Sequence, residues 1–145
     1  MTPHTPTTVF VDSSAFIALI DADDNRHSDA LETWRTGLLG GDAYVSTNYV
    51  ILETTAVLQR RFGLEVVRRF VTDMLPVVRI EWVGGTDHDA GLALLLAEAR
   101  RGLSLVDCAS FVVMRRLGLG TAFALDRHFA EQGFAVKPAA AREDR

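Results

Sequence analysis

Two rhythms of apolar and polar positions alternate along this chain. Short β-branched or aromatic runs at residues 8–12, 43–46, 77–83 and 121–125, with a weaker one at 134–136, have the length and composition of buried strands. Between them apolar residues recur at helical spacing. A first helix begins at Ser13 or Ser14 and carries AFIALID, and a second reads SDALETWRTGLL and is closed by Gly40 and Gly41. The segment TNYVILETTAVLQRRFG takes Thr47 or Asn48 as N-cap and Gly63 as its stop, and LEVVRRFVTDML ends before Pro76. TDHDAGLALLLAEARRG and SLVDCASFVVMRRLG, divided at Gly102, supply two more helices. Strands alternating with helices imply an α/β fold with a mainly parallel central sheet of four to five strands covered on both faces. No repeat or linker interrupts the pattern, so residues 1–145 read as one domain, with 1–7 and 138–145 as frayed tails.

Carboxylates break this pattern in four places. In open α/β sheets ligands bind outside the carboxyl ends of the strands, so polar residues there carry the most information. Asp12 ends the first apolar run in TTVFVDSS, and Asp126 ends the fourth in TAFALDRHF. Each can equally serve as the N-cap of the helix that follows. Asp107 stands three residues after Ser104, the spacing of a capping box, although that box normally uses the longer Glu or Gln. Glu53 has no such explanation. It lies at least five residues into its helix, and its neighbours at three and four residues are Tyr49, Val50, Ala56 and Val57, so its side chain leaves from an apolar stripe. A buried carboxylate there needs a cation or a proton, and an arginine reached across the fold is the alternative to a metal.

Composition narrows the chemistry. With 48% hydrophobic and 23% charged residues the chain can bury a core, which excludes a disordered segment. No basic stretch precedes an apolar run at the start, and 18 consecutive apolar residues occur nowhere, so the sequence encodes neither export nor membrane insertion and a cytoplasmic location is expected. The one cysteine, Cys108, sits in the apolar run VDCASFVV and reads as a small buried thiol. His4, His27, His88 and His128 fall into no zinc-binding spacing. The net charge of −4 equals the charge of Asp12, Glu53, Asp107 and Asp126 alone. Converging carboxylates repel one another unless divalent cations lie between them, and all-oxygen ligation favours Mg2+ or Mn2+ over zinc. Hard cations held on an α/β scaffold suit phosphodiester hydrolysis. Arginine supplies all the basic residues but Lys137, several of them in pairs, which suits either phosphate contact or solvated helix ends.

Three segments in order, VFVDSSAFIALID, VSTNYVILETTAVL and LSLVDCASFVVMRRLGLGTAFALDRHFAEQGF, resemble the PIN domain, and specifically the VapC toxins of toxin–antitoxin pairs. The resemblance covers nearly the whole chain and implies a three-layer PIN-like fold with about seven helices. By it, Asp12, Glu53, Asp107 and Asp126 match the acidic quartet that binds metal and carries catalysis. Ser13, Thr47 and Ser104 match small hydroxyl positions beside the quartet, where capping is an equal reading; His128 matches a variable position and is given no role. The implied activity is that of a Mg2+- or Mn2+-dependent endoribonuclease, usually a homodimer, restrained by a cognate antitoxin. Arg60 and Arg61, which follow Glu53 on its helix, are the first candidates for RNA contact. Two other readings remain: a receiver-like phosphoacceptor, for which Lys137 and Pro138 speak but the missing second acid after Asp12 does not, and a PIN fold kept only for binding. A dehalogenase-like phosphatase lacks its second acid, since Ser14 stands in that place.

Overall fold

The computed structural model describes residues 4–139. Five parallel strands form one sheet: β1 (Thr8–Val11), β2 (Ala43–Thr47), β3 (Val78–Glu81), β4 (Thr121–Phe123) and β5 (Ala135–Lys137), in the spatial order β3-β2-β1-β4-β5. Seven α-helices connect them: α1 (Ser13–Ile20), α2 (His27–Leu39), α3 (Asn48–Phe62), α4 (Leu64–Arg69), α5 (Gly85–Glu98), α6 (Leu105–Leu117) and α7 (His128–Glu131). Parallel neighbours require right-handed crossovers. The chain moves one way along the sheet from β1 to β3 and then jumps back across β1 to β4, so α1–α4 cover one face and α5–α7 the other.

Side-chain alternation along the strands divides the core accordingly. Val9, Val11, Tyr44 and Phe123 share the first face, where the Trp34 ring of α2 stacks on Tyr44 at 4.6 Å. Phe10 points to the second, against Phe129 of α7, which in turn meets Phe111 of α6 edge-on at 5.0 Å. The order of the strands reverses at β1, and β1 and β4 are adjacent there. Both are followed by an aspartate, so the crevice of the fold opens between Asp12 and Asp126.

Three differences from the sequence-derived map have local causes. The helix expected to run unbroken through LEVVRRFVTDML changes pitch after α4, through a π-helical turn at Phe70–Met74 and a 3-10 turn at Leu75–Val77. Phe70 is fully buried, edge-on to Phe16 at 5.2 Å, and Pro76 cannot supply an α-helical N–H. The third strand stops at Glu81 because Val83 N–H donates to the Asn48 side chain instead of a ladder, leaving Trp82 73% exposed. Residues 4–7, expected to fray, are tied to Asp42: the His4 ring pairs with its carboxylate at 2.7 Å and Thr7 N–H donates to it at 2.9 Å. The rest of the expected tails, beyond residue 139 and before residue 4, lies outside the described residues.

Candidate functional site

Asp12 enters the crevice directly from β1. Its own N–H donates to the Phe123 carbonyl at 3.0 Å, which locks the end of β1 to β4. One carboxylate oxygen, Oδ2, caps α1, accepting from Ser14 N–H at 3.2 Å and from the Ser14 hydroxyl at 2.6 Å. The other, Oδ1, is buried with no hydrogen-bond partner. Capping therefore accounts for only half of this side chain. Burial raises its pKa from 3.8 to about 8, the charge of Asp126 adds to the rise, and the Ser14 hydroxyl opposes it.

The other three acids come from separate elements. Asp126 follows β4 by way of Ala124 and Leu125, and accepts from His128 N–H at 3.1 Å, which starts α7. Its pKa is also raised, chiefly by burial and then by Asp107, while His128 N–H opposes the rise. Asp107 lies in the first turn of α6, where the capping box is complete in both directions despite the short side chain: Asp107 N–H donates to Ser104 Oγ at 3.1 Å and Ser104 N–H to Asp107 Oδ2 at 3.0 Å. Glu53 comes from α3. The buried side of that helix runs through Val50, Thr54 and Leu58, so Glu53 flanks the stripe and is half-buried, one position off the centre that its apolar neighbours implied. Burial raises its pKa, the Ser13 hydroxyl holds it down from 3.3 Å, and Asp107 and Asp126 push it up. No cation pairs with Glu53 among the described residues, so the arginine alternative to a metal is not realised there.

The charges of the four acids act on one another: Asp126 and Asp107 raise the pKa of Asp12, and Asp107 and Asp126 raise that of Glu53. Among the described residues no three acid, histidine or cysteine side chains stand close enough together, as placed, to hold a metal ion between them. An open group of mutually repelling oxygens with one orphaned, buried acceptor fits a small hard cation that keeps water ligands, as Mg2+ does, better than a cation that needs a protein cage.

The supporting residues divide. Ser13 faces Glu53, whereas Thr47 accepts from Val50 N–H at 3.2 Å and Ser104 belongs to the box, so both of these act as helix caps. Ser14, read in the sequence only as a helix start, proves the better placed hydroxyl, because its Oγ also accepts from Leu125 N–H at 3.0 Å and so joins Asp12 to the segment that carries Asp126. Nothing in SS distinguished the two serines, since their roles depend on the rotation of the first helical turn. Arg60 lies two turns beyond Glu53 on the same side of α3 and is exposed, while Arg61 is engaged by Asp21 at 2.6 Å. Cys108 is fully buried, and burial raises its pKa, as expected of an inert thiol.

Comparison with known proteins agrees with this geometry. The PIN domain family profile matches residues 9–135. The 23S rRNA-specific endonuclease VapC20 of Mycobacterium tuberculosis (strain CDC 1551 / Oshkosh) is 34% identical over 132 residues, which span 90% of this chain and 98% of that protein. The crystal structure of Mycobacterium tuberculosis VapC20, described as a Sarcin-Ricin loop cleaving toxin, superposes with a TM-score of 0.80 at 32% identity, over 88% of this chain and 97% of that one. FitAcB from Neisseria gonorrhoeae shares the fold at a TM-score of 0.68 and 12% identity, covering 89% of this chain and 96% of that one. A profile that spans most of the length, together with a relative of this identity over nearly all of it, excludes the receiver and phosphatase readings: the chain belongs to the PIN-domain family, as a VapC-type endoribonuclease toxin.

Proposed function

We propose that Asp12, Glu53, Asp107 and Asp126 hold Mg2+ or Mn2+ and that the chain, as a single PIN domain, hydrolyses phosphodiester bonds of 23S rRNA. The observation that carries the reading is the buried, unpartnered Oδ1 of Asp12 at the reversal point of the sheet, with Asp126 and Asp107 beside it. A bound divalent cation supplies charge neutralisation at the phosphate and activation of water. The chain's own residues do the rest. Ser14 fixes one oxygen of Asp12 and leaves the other turned to the crevice, Ser13 orients Glu53, and the first turn of α6 fixes Asp107. Without a cation the crevice repels RNA, so binding and chemistry both depend on the metal. Arg60 is placed to add a positive rim, more freely than Arg61.

The substrate class follows from similarity to VapC20, whose name gives 23S rRNA as its target. A cognate antitoxin, a homodimeric state and a cytoplasmic location belong to the same reading; no helix among the described residues is long and apolar enough to cross a membrane. Asp107→Asn tests it. Asparagine keeps an acceptor for Ser104 N–H but loses the charge. Mn2+-dependent cleavage of 23S rRNA should fall at least 100-fold, while the metal-free protein keeps or gains stability in urea. Cleavage that survives together with a stability loss of about 1 kcal/mol would mark Asp107 as a cap alone.

A further inference from the structure

Beside the acidic crevice, at the carboxyl ends of β4 and β5, lies a cavity of about 310 Å3 that the proposed chemistry does not use. Asp126 is among the residues that line it, which puts the cavity next to one of the four acids. Its walls are mainly apolar, made by Ala124, Leu125, Val136 and Pro138, with Ala130 of α7 at the exposed rim. Two arginines complete its lining, Arg26 and Arg127.

These arginines are held differently. Arg26 comes from the turn before α2, where its Nε donates to Asp29 at 2.9 Å and its Nη2 to the Ala139 carbonyl at 3.0 Å. Both bonds pin the guanidinium plane. Arg127, the neighbour of Asp126, is exposed and makes no ion pair among the described residues. A small apolar cleft with one fixed planar cation and one exposed, unpaired cation at its edge has the chemistry of a nucleotide site: the apolar floor and the pinned plane suit a base, and the free guanidinium suits its phosphate. The volume lies at the lower end of small-molecule sites, about 300–1,000 Å3, the scale of one nucleotide rather than a duplex.

We infer that this cavity receives one unstacked base of the RNA next to the cleaved bond, and so contributes to the choice of that bond. The inference rests on the endoribonuclease reading. Sequence-selective proteins read RNA mostly from splayed bases, because the major groove of an A-form helix is too narrow for side chains. A loop nucleotide extruded into the cavity would bring its neighbouring phosphate near Asp126, one of the residues that line the cavity.

The test uses the full chain with Mn2+ and a sarcin–ricin loop RNA hairpin in which each nucleotide flanking the cut is made abasic in turn. One abasic position should lower kcat/KM for the unaltered chain at least tenfold. Ala130→Phe, which fills the cavity from its exposed rim, should lower kcat/KM on the intact hairpin by a similar factor and lose the response to that abasic position, with an unchanged Tm confirming the fold. Arg127→Ala should weaken binding evenly across the series and reduce the salt slope by about one. Equal cleavage of every abasic hairpin by the unaltered chain, or wild-type rates for Ala130→Phe, overturns the inference and leaves the endoribonuclease reading intact. Absence of Mn2+-dependent cleavage of any RNA by the unaltered chain overturns both.

Discussion

At the scale of single residues, Ser14 carries the most consequence for its size. One hydroxyl donates to Asp12 and accepts from the Leu125 backbone, so it links the ends of the two strands that bound the crevice. Ser14→Ala removes both bonds and leaves the Leu125 N–H without its partner, at a cost of about 1–3 kcal/mol in urea unfolding. It also frees Asp12, and second-layer hydrogen bonds of this kind are worth about 10–100-fold in metal affinity. Mn2+ affinity measured by calorimetry should drop within that range, and Ser14→Thr, which restores a hydroxyl, should recover much of it. Unchanged Mn2+ affinity for the alanine variant would confine Ser14 to a capping role. Ser13→Ala is expected to be milder, because its bond to Glu53 is longer, 3.3 Å against 2.6 Å, and leaves no backbone group unpaired.

Elements place the acids, and close packing of α5 on α6 places Asp107. Gly91 of α5 is buried against Ala109 of α6, and a methyl group there would stand 3.1 Å from the Ala109 Cα and N. Backbone cannot yield as a flexible side chain can. Gly91→Ala should therefore destabilise by about 1–2 kcal/mol, overpacking outweighing the better helix propensity of alanine, with activity lowered through the shifted first turn of α6. A rise in Tm would show that the two helices can separate freely. The far end of α6 is held by Arg116, which pairs with both Asp87 of α5 and Glu81 of β3. This ion pairing was not legible in the chain, since the pair Arg115 and Arg116 suited either phosphate contact or a solvated helix end. What was legible follows from where information is local. The strand runs at residues 8–12 and 43–46 match β1 and β2 to within a residue, because continuous apolar runs bounded by caps have one reading. The pitch change after α4 was not, because it depends on Phe70 meeting Phe16 far away in sequence. α7, only four residues long, gave no periodic signal of its own. Asp12, Asp107 and Asp126 each looked like caps: Asp12 is the N-cap of α1 and Asp107 completes the Ser104 capping box, but Arg127 takes the N-cap place of α7 and Asp126 only accepts from His128 N–H. That their charges act on one another depends on the strand order, which no local pattern states.

For the whole molecule, the four acids make folding depend on pH and metal together. In the metal-free protein burial and mutual repulsion raise the pKa of Asp12 to about 8, and those of Glu53 and Asp126 also rise. Unfolding exposes these carboxyls to water, where they ionise near pH 4. Between about pH 4 and pH 8 the folded chain therefore binds protons that the unfolded chain has released, and its stability falls as pH rises through that window. Asp42 acts in the opposite sense. The His4 ring and Thr7 N–H outweigh its burial and hold its pKa below 3.8, so its contribution is already complete throughout that window and is lost only on acidification below it. In EDTA, urea unfolding should give a stability that declines from pH 5 to pH 8, by at most about 1.4 kcal/mol per pH unit for each group that titrates. Asp12→Asn should flatten the decline, since it removes the most strongly shifted group. Saturating Mn2+ binds the ionised form, so it should stabilise the chain far more at pH 8 than at pH 5, and cleavage should fade on acidification as protons compete for the same oxygens. A stability in EDTA that climbs steadily toward pH 8, equally in the unaltered chain and in Asp12→Asn, would mean that these carboxylates are already compensated within the protein, and the case for a cation between them would lose its physical basis.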